Sequence, residues 1–200
     1  MNQTVLYIHG QGGNAGEAAH YAPLFEGDSV LGLDYCARTP WEAKEEFPAL
    51  VDELCAPQTP VTLIANSIGA FFAMSALADR PIEKAFFISP IVDMEKLIMD
   101  MMTWAGVTEE DLRARGTIET PFGETLSWEY LTYVRSHPLR WEIPTEILYG
   151  TGDHLTAPAT VSAFAERIGA GLTVMEGGEH WFHTDEQMCF LDTWIQSCKM

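Results

Sequence analysis

The sequence predicts an α/β protein, a three-layer α/β/α sandwich around a mainly parallel sheet of six strands. Short apolar runs alternate with helix-length stretches along the chain, the signature of a parallel sheet. Those runs are nearly continuously apolar, as strands covered by helices on both faces are. With 200 residues, 47% of them apolar, the chain sustains one domain with a substantial core.

The strand candidates are "TVLYI" (4–8), "SVLGL" (29–33), "VTLIAN" (61–66), "KAFFIS" (84–89), "TEILYG" (145–150) and "LTVME" (172–176). Helices are predicted near 15–21, 41–55, 68–79, 157–168 and 184–198. Pro158 stands where a first-turn proline belongs, and Asp185 and Glu186 suit the positive start of the last helix.

Residues 91–142 interrupt the alternation, because they separate two strands by far more than one helix. Met94, Leu97, Ile98, Met101 and Met102 follow the i, i+3, i+4, i+7, i+8 spacing of an amphipathic helix. "TEED" from Thr108 resembles a capping box with Asp111 in the reciprocal place, opening a short helix that ends before Gly116. "PFGE" (121–124) is a turn, and "SWEYLTYVRSHP" is a third helix stopped before Pro138. The expected result is a helical cap insertion over the sheet's carboxyl edge, although spacing alone favours additional core.

Charge and composition exclude several classes. Eleven basic residues against 29 acidic ones give a net charge of −18, which repels phosphate backbones and anionic lipid. Nucleic acid and membrane surfaces are therefore not expected partners. Met1 to Thr4 lead into "VLYI" with no basic start, and no stretch is long and apolar enough to span a bilayer. Cys36, Cys55, Cys189 and Cys198 show neither a C-x-x-C pair nor zinc spacing. Reduced thiols in a cytoplasmic protein, with no metal and no cofactor, are the expectation.

Four short motifs follow four of the strands. "HGQGGN" (9–14) is a glycine-rich bend whose backbone N–H groups can converge on negative charge. Its third glycine place is held by Ala15 and it has no P-loop lysine, so it is not a nucleotide fingerprint. "ANSIG" (65–69) puts Ser67 on a strand-to-helix bend between small residues, with the Ile68 N–H opening the helix behind it. A packed turn explains that pentapeptide as well. "GTGDH" (150–154) places Asp153 where it orients an imidazole or simply caps the next helix. "GGEHWFH" (177–183) offers His180, with His183 as a rival. Without a third ligand nearby, this H-x-x-H is no metal site.

Singly these signals are weak, but their order is informative. Glycine-rich loop, serine, acid and histidine succeed one another at the ends of strands one, three, five and six, with Ser before Asp before His. Through "HGQGG", "ANSIG", "GTGDH" and "GGEHW" the chain resembles the α/β-hydrolase family over nearly its whole length. The resemblance implies a minimal version of the fold with strand order 2-1-3-4-5-6 and a switch point between strands one and three. It implies a serine hydrolase acting on carboxylic esters or related acyl bonds. Ser67 would be the nucleophile, His180 the base and Asp153 the acid, with Ile68 and Gln11 as oxyanion donors. Asp93, after the fourth strand, is a second candidate for the acid. Met94, Met101, Trp104 and Trp128 of the cap, with Leu97, Met102 and Tyr133, are candidates to line a pocket for a small acyl substrate, apolar or aromatic. Trp181 beside His180 joins them. The same cap residues would pack equally well on the sheet.

Overall fold

Six strands form one sheet in the order β2 (Ser29–Gly32), β1 (Thr4–Ile8), β3 (Val61–Asn66), β4 (Ile82–Ile88), β7 (Thr145–Gly150), β8 (Gly171–Met175). Every neighbouring pair in it is parallel. The structure is a computed structural model that describes residues 3–55 and 59–199, so Met1 and Asn2 of the leader reading lie outside the described residues. The chain divides into two units, Met1–Val92 with Arg140–Met200, and Asp93–Leu139.

In the first unit the sheet is covered on both faces. Tyr7 pairs in register with Ile64, so Tyr7, Ile64 and Asn66 point to one face. There Val5, Tyr7, Ile64, Phe86 and Ile88 pack with Leu191, Trp194 and Ile195 of α7 (Asp185–Cys198) and with Ala18, Tyr21 and Phe25. On the other face α1 (Pro40–Leu54) and α2 (Ile68–Ala76) lie together, and Phe47 meets Phe72 edge to face.

Local chemistry sets the ends of these helices. Thr39 and Glu42 form a capping box and Pro40 opens α1, which suits a ring with φ already fixed and no N–H to satisfy. Pro158 opens α6 (Pro158–Ile168) in the same way, and Gly169 closes it in the left-handed region at φ 68°.

The segment predicted as a helix over 15–21 is instead a 3-10 helix, Ala15–His20, with a second 3-10 turn, Ala22–Leu24, directly after it. Pro23 has no N–H to extend a regular ladder there, and Gly32 presses the start of the first turn against β2.

The second unit holds α3 (Met94–Ala105), α4 (Glu109–Arg115) and α5 (Trp128–Ser136). Thr108 and Asp111 form the capping box of α4, and Gly116 follows its last residue. Between α4 and α5 runs an antiparallel hairpin, β5 (Thr117–Glu119) and β6 (Thr125–Ser127), whose turn contains "PFGE". Arg135 ties the three helices: Nε donates to Glu95 at 2.7 Å, and both terminal nitrogens donate to Glu109 at 2.8 Å.

Candidate active site

Ser67 joins the last residue of β3 to the first of α2 at φ 51° and ψ −122°. Among the described residues only Ser67 and Ser89 are non-glycine residues with positive φ. Such backbone costs about 1–3 kcal/mol and persists where the surroundings over-determine it. They do so here: the Ser67 N–H donates to Ile88 O at 3.0 Å, and the Ser67 carbonyl accepts from Ala70 N at 3.2 Å and Ile91 N at 3.1 Å. Ser89, at φ 44° just past β4, turns the chain so that Ile91 returns to the bend. Crowding is severe at Gly69, where a Cβ would lie 2.2 Å from the His9 carbonyl oxygen. Only glycine permits that approach.

His180 approaches from the loop after β8, and its Nε2 stands 2.8 Å from Ser67 Oγ. Its Nδ1 is 2.7 Å from Asp153 Oδ2. A carboxylate only accepts, so Nδ1 carries the proton and Nε2 is left to accept the serine O–H. The Asp153 side chain is wholly shielded from solvent. Its other oxygen accepts from Leu155 N at 2.7 Å and Thr156 N at 3.1 Å. Tyr149 O–H donates to Thr156 O at 2.7 Å, bracing the same turn. Burial pushes the Tyr149 phenol up, with the Asp153 charge adding to it. The acid and histidine loops are joined directly, since Gly152 N donates to Gly178 O at 2.7 Å and Gly177 N to Thr151 Oγ1 at 2.8 Å.

The glycine-rich bend is a turn closed by Gly13 N to Gly10 O at 3.1 Å, with Gly12 at φ 77°. His9 takes no part in the Ser67–His180–Asp153 hydrogen bonds. Its Nδ1–H donates to Gly10 O at 2.8 Å, and its ring stacks on Tyr35 with centroids 4.3 Å apart. Tyr35 O–H in turn donates to His9 O at 2.8 Å. Chemically, the arrangement supplies a hydroxyl with a base on it, a buried carboxylate behind that base, and the amide that opens a helix beside the hydroxyl.

No family model and no curated protein matches the chain. Solved structures do. Alpha/beta hydrolase domain-containing protein 10 from mouse superposes with TM-score 0.78 at 14% identity, covering 98% of this chain and 89% of that one. This chain has the α/β-hydrolase fold. Est1E from Butyrivibrio proteoclasticus with ferulic acid bound matches it at TM-score 0.72 and 17% identity, covering 98% of this chain and 88% of that one. The thioesterase domain from the curacin biosynthetic pathway matches at TM-score 0.63 and 17% identity, covering 98% and 91% respectively.

Within this α/β-hydrolase fold the remaining candidates fall as follows. The carboxylate on His180 is that of Asp153, whereas Asp93 accepts from Lys96 N at 2.9 Å and caps α3. His183 Nδ1 bonds the Trp181 carbonyl at 2.6 Å, and its ring tilts against the Trp181 indole, which is 74% exposed. Met94 is buried, Met101 and Trp128 are half-buried, and exposed Trp104 meets Phe122 edge to face. Arg113 lies over the Trp128 ring. Among the described residues no group of His, Cys, Asp and Glu side chains could hold a metal ion. Nor is any described helix long and apolar enough to cross a membrane. Sequence reasoning passed over Tyr35 and Ser89. The signal for Ser89 was a serine before proline at a strand end, a weak one.

Proposed function

We infer that the protein is a serine hydrolase that cleaves a carboxylic ester, or a related acyl bond, through an acyl-serine intermediate. The observation that carries this reading is the unbroken hydrogen-bond chain from Asp153 through His180 to Ser67 Oγ, built on three strand-end loops.

Ser67 Oγ attacks the carbonyl carbon while His180 Nε2 takes its proton, so an O–C bond forms and the carbonyl pair moves onto oxygen. The Ile68 N–H and the Gln11 N–H receive that oxyanion. The first amides of a helix have no intrahelical acceptor, which suits Ile68 to this role. Each such donor contributes about 3–4 kcal/mol in the transition state. Collapse breaks the bond to the leaving alkoxide, which takes the proton from His180. A water then attacks the acyl carbon, gives its proton to His180, and releases the acid as Ser67 regains its hydrogen. Asp153 holds the imidazole in the tautomer that accepts from serine and stabilises the imidazolium formed in each half.

The substrate is a small or medium ester with an apolar or aromatic acyl part. Ferulic acid, bound to Est1E of the same fold, is an aromatic acid of that size. Thioesters follow the same atoms, and a thioesterase domain stands among the structural neighbours. A fluorophosphonate probe tests the reading: the adduct is expected on Ser67 by peptide mass spectrometry and is expected to vanish in Ser67→Ala. Labelling that persists in that variant, or never appears in the wild type, overturns it.

A further inference from the structure

The glycine-rich loop, 10–14, has glycine at three of its five positions. Glycine-rich backbone loses more freedom on ordering than any other, so contacts that hold the loop's far end matter. Glu17 does this with both carboxylate oxygens. One accepts from Asn14 N at 3.3 Å in a capping box that ends the loop. The other accepts the Tyr7 O–H at 2.6 Å. Tyr7 Oη in turn accepts from Asn66 Nδ2 at 3.0 Å, and Asn66 immediately precedes Ser67.

The geometry points to Glu17 and Tyr7 as positioning residues that lock the oxyanion loop in register with the serine bend. This assignment rests on the hydrolase reading above, and touches no reacting atom itself.

Three further features support it. A Cβ on Gly13 would meet both Glu17 carboxylate oxygens at 2.9 Å, so the loop backbone lies directly on the carboxylate. Tyr7 is almost wholly buried on β1, the strand that runs into the loop. Burial first, then Tyr21 and Glu17, hold its phenol well above the ordinary range, which keeps it a donor. The chain Asn66, Tyr7, Glu17, Asn14 therefore spans from the serine bend to the far end of the loop without a break. Oxyanion donors act over tenths of an ångström, and a displacement of about 1 Å costs on the order of a hundredfold.

The test uses Tyr7→Phe, Glu17→Gln and the double variant in the full chain. Tyr7→Phe removes only the hydroxyl. Gln retains the shape of Glu but has a single acceptor oxygen, so it cannot take the Tyr7 O–H on one oxygen and the Asn14 N–H on the other as Glu17 does. With p-nitrophenyl esters, each single variant is expected to lose about tenfold to a hundredfold in kcat, with KM within about twofold. The phosphonylation rate of Ser67 is expected to fall by the same factor. The double variant should lose little more than either single one, because both cut one chain. Hydrogen exchange is expected to quicken at Gly13 and Asn14 and to stay unchanged at Leu155 and Thr156.

Wild-type kcat in both single variants overturns the assignment, as does a loss of kcat with exchange at Gly13 and Asn14 unchanged. Should the variants not fold, the wild type still decides, because unprotected Gly13 and Asn14 amides are incompatible with a locked loop. If the wild type neither hydrolyses esters nor takes the phosphonate, the hydrolase reading falls. The exchange measurements judge the loop separately.

Discussion

Gly69 stands against His9 so closely that a Cβ on it would lie 2.2 Å from the His9 carbonyl oxygen. That contact packs the first turn of α2 on the end of β1, and so holds Ile68 beside the glycine-rich loop. Gly69→Ala must move either the helix start or the loop. The expected cost is about 1–3 kcal/mol of stability or more, as for other overpacked sites. On the proposed hydrolase reading, ester turnover should fall by about a hundredfold because the Ile68 and Gln11 amides separate. Urea unfolding and steady-state kinetics check both, and a variant that matches wild type in each would refute the steric account.

Asp153 and Asp93 make a second comparison, because one carboxylate bonds His180 and the other caps α3. In Asp153→Asn the amide can donate to His180 Nδ1, which favours the tautomer that cannot accept from Ser67. A loss of about ten-thousandfold in kcat is the scale known for that change in a serine triad. Asn caps a helix as well as Asp does, so Asp93→Asn is expected to leave both turnover and melting temperature close to wild type. Collapse of turnover in Asp93→Asn alone would reverse the assignment.

The sheet was legible because its strands are short, nearly continuously apolar runs that alternate with helix-length stretches. Ser67, Asp153 and His180 were legible as separate motifs, and the chain order of those motifs suggested one site. The hairpin β5–β6 was not: three-residue strands such as "TIE" and "TLS" are too short to show a period. The 3-10 turns after the glycine-rich loop read as a helix because "AGEAAH" carries helix formers, while the close approach of Gly32 that shapes them is tertiary. Asn66 could not be placed from sequence, since its partner Tyr7 lies 59 residues away on the neighbouring strand. The other half of that network carried a signal that went unread: "NAGE" at 14–17 is a capping box spelled with Asn and Glu.

In the second unit, Arg135 sets a pH dependence. Its hydrogen bonds, then its charge, hold the Glu109 carboxyl below the ordinary range, and Glu109 in turn raises Arg135. A carboxyl that titrates lower when folded contributes stability above its unfolded value, about 4.3 for Glu, and loses it as pH falls through the folded value. The gap in melting temperature between wild type and Arg135→Met should therefore be largest near neutrality. It should shrink below about pH 4. The pair is exposed, so 1 M salt at neutral pH should shrink the gap as well. Calorimetry at neutral and acid pH measures it, and a gap unaffected by either condition would assign Arg135 to packing alone.

The four cysteines are all free, but their surroundings differ. Cys36 and Cys189 are exposed and Cys198 is half-buried, while Cys55 is buried just past the end of α1 with its N–H on Val51 O at 2.8 Å. Burial pushes the Cys55 thiol up, against a smaller opposing pull from Arg80. Thiol reagents attack the thiolate, so burial slows Cys55 twice, by access and by the fraction ionised. Iodoacetamide at neutral pH is expected to modify Cys36 and Cys189 first, Cys198 next and Cys55 last. In denaturant the four rates should converge. Peptide mass spectrometry over a time course reads that order. If Cys55 kept pace with Cys36 in the folded protein, the end of α1 would have to open readily, and its packing could not be what sets the thiol's reactivity.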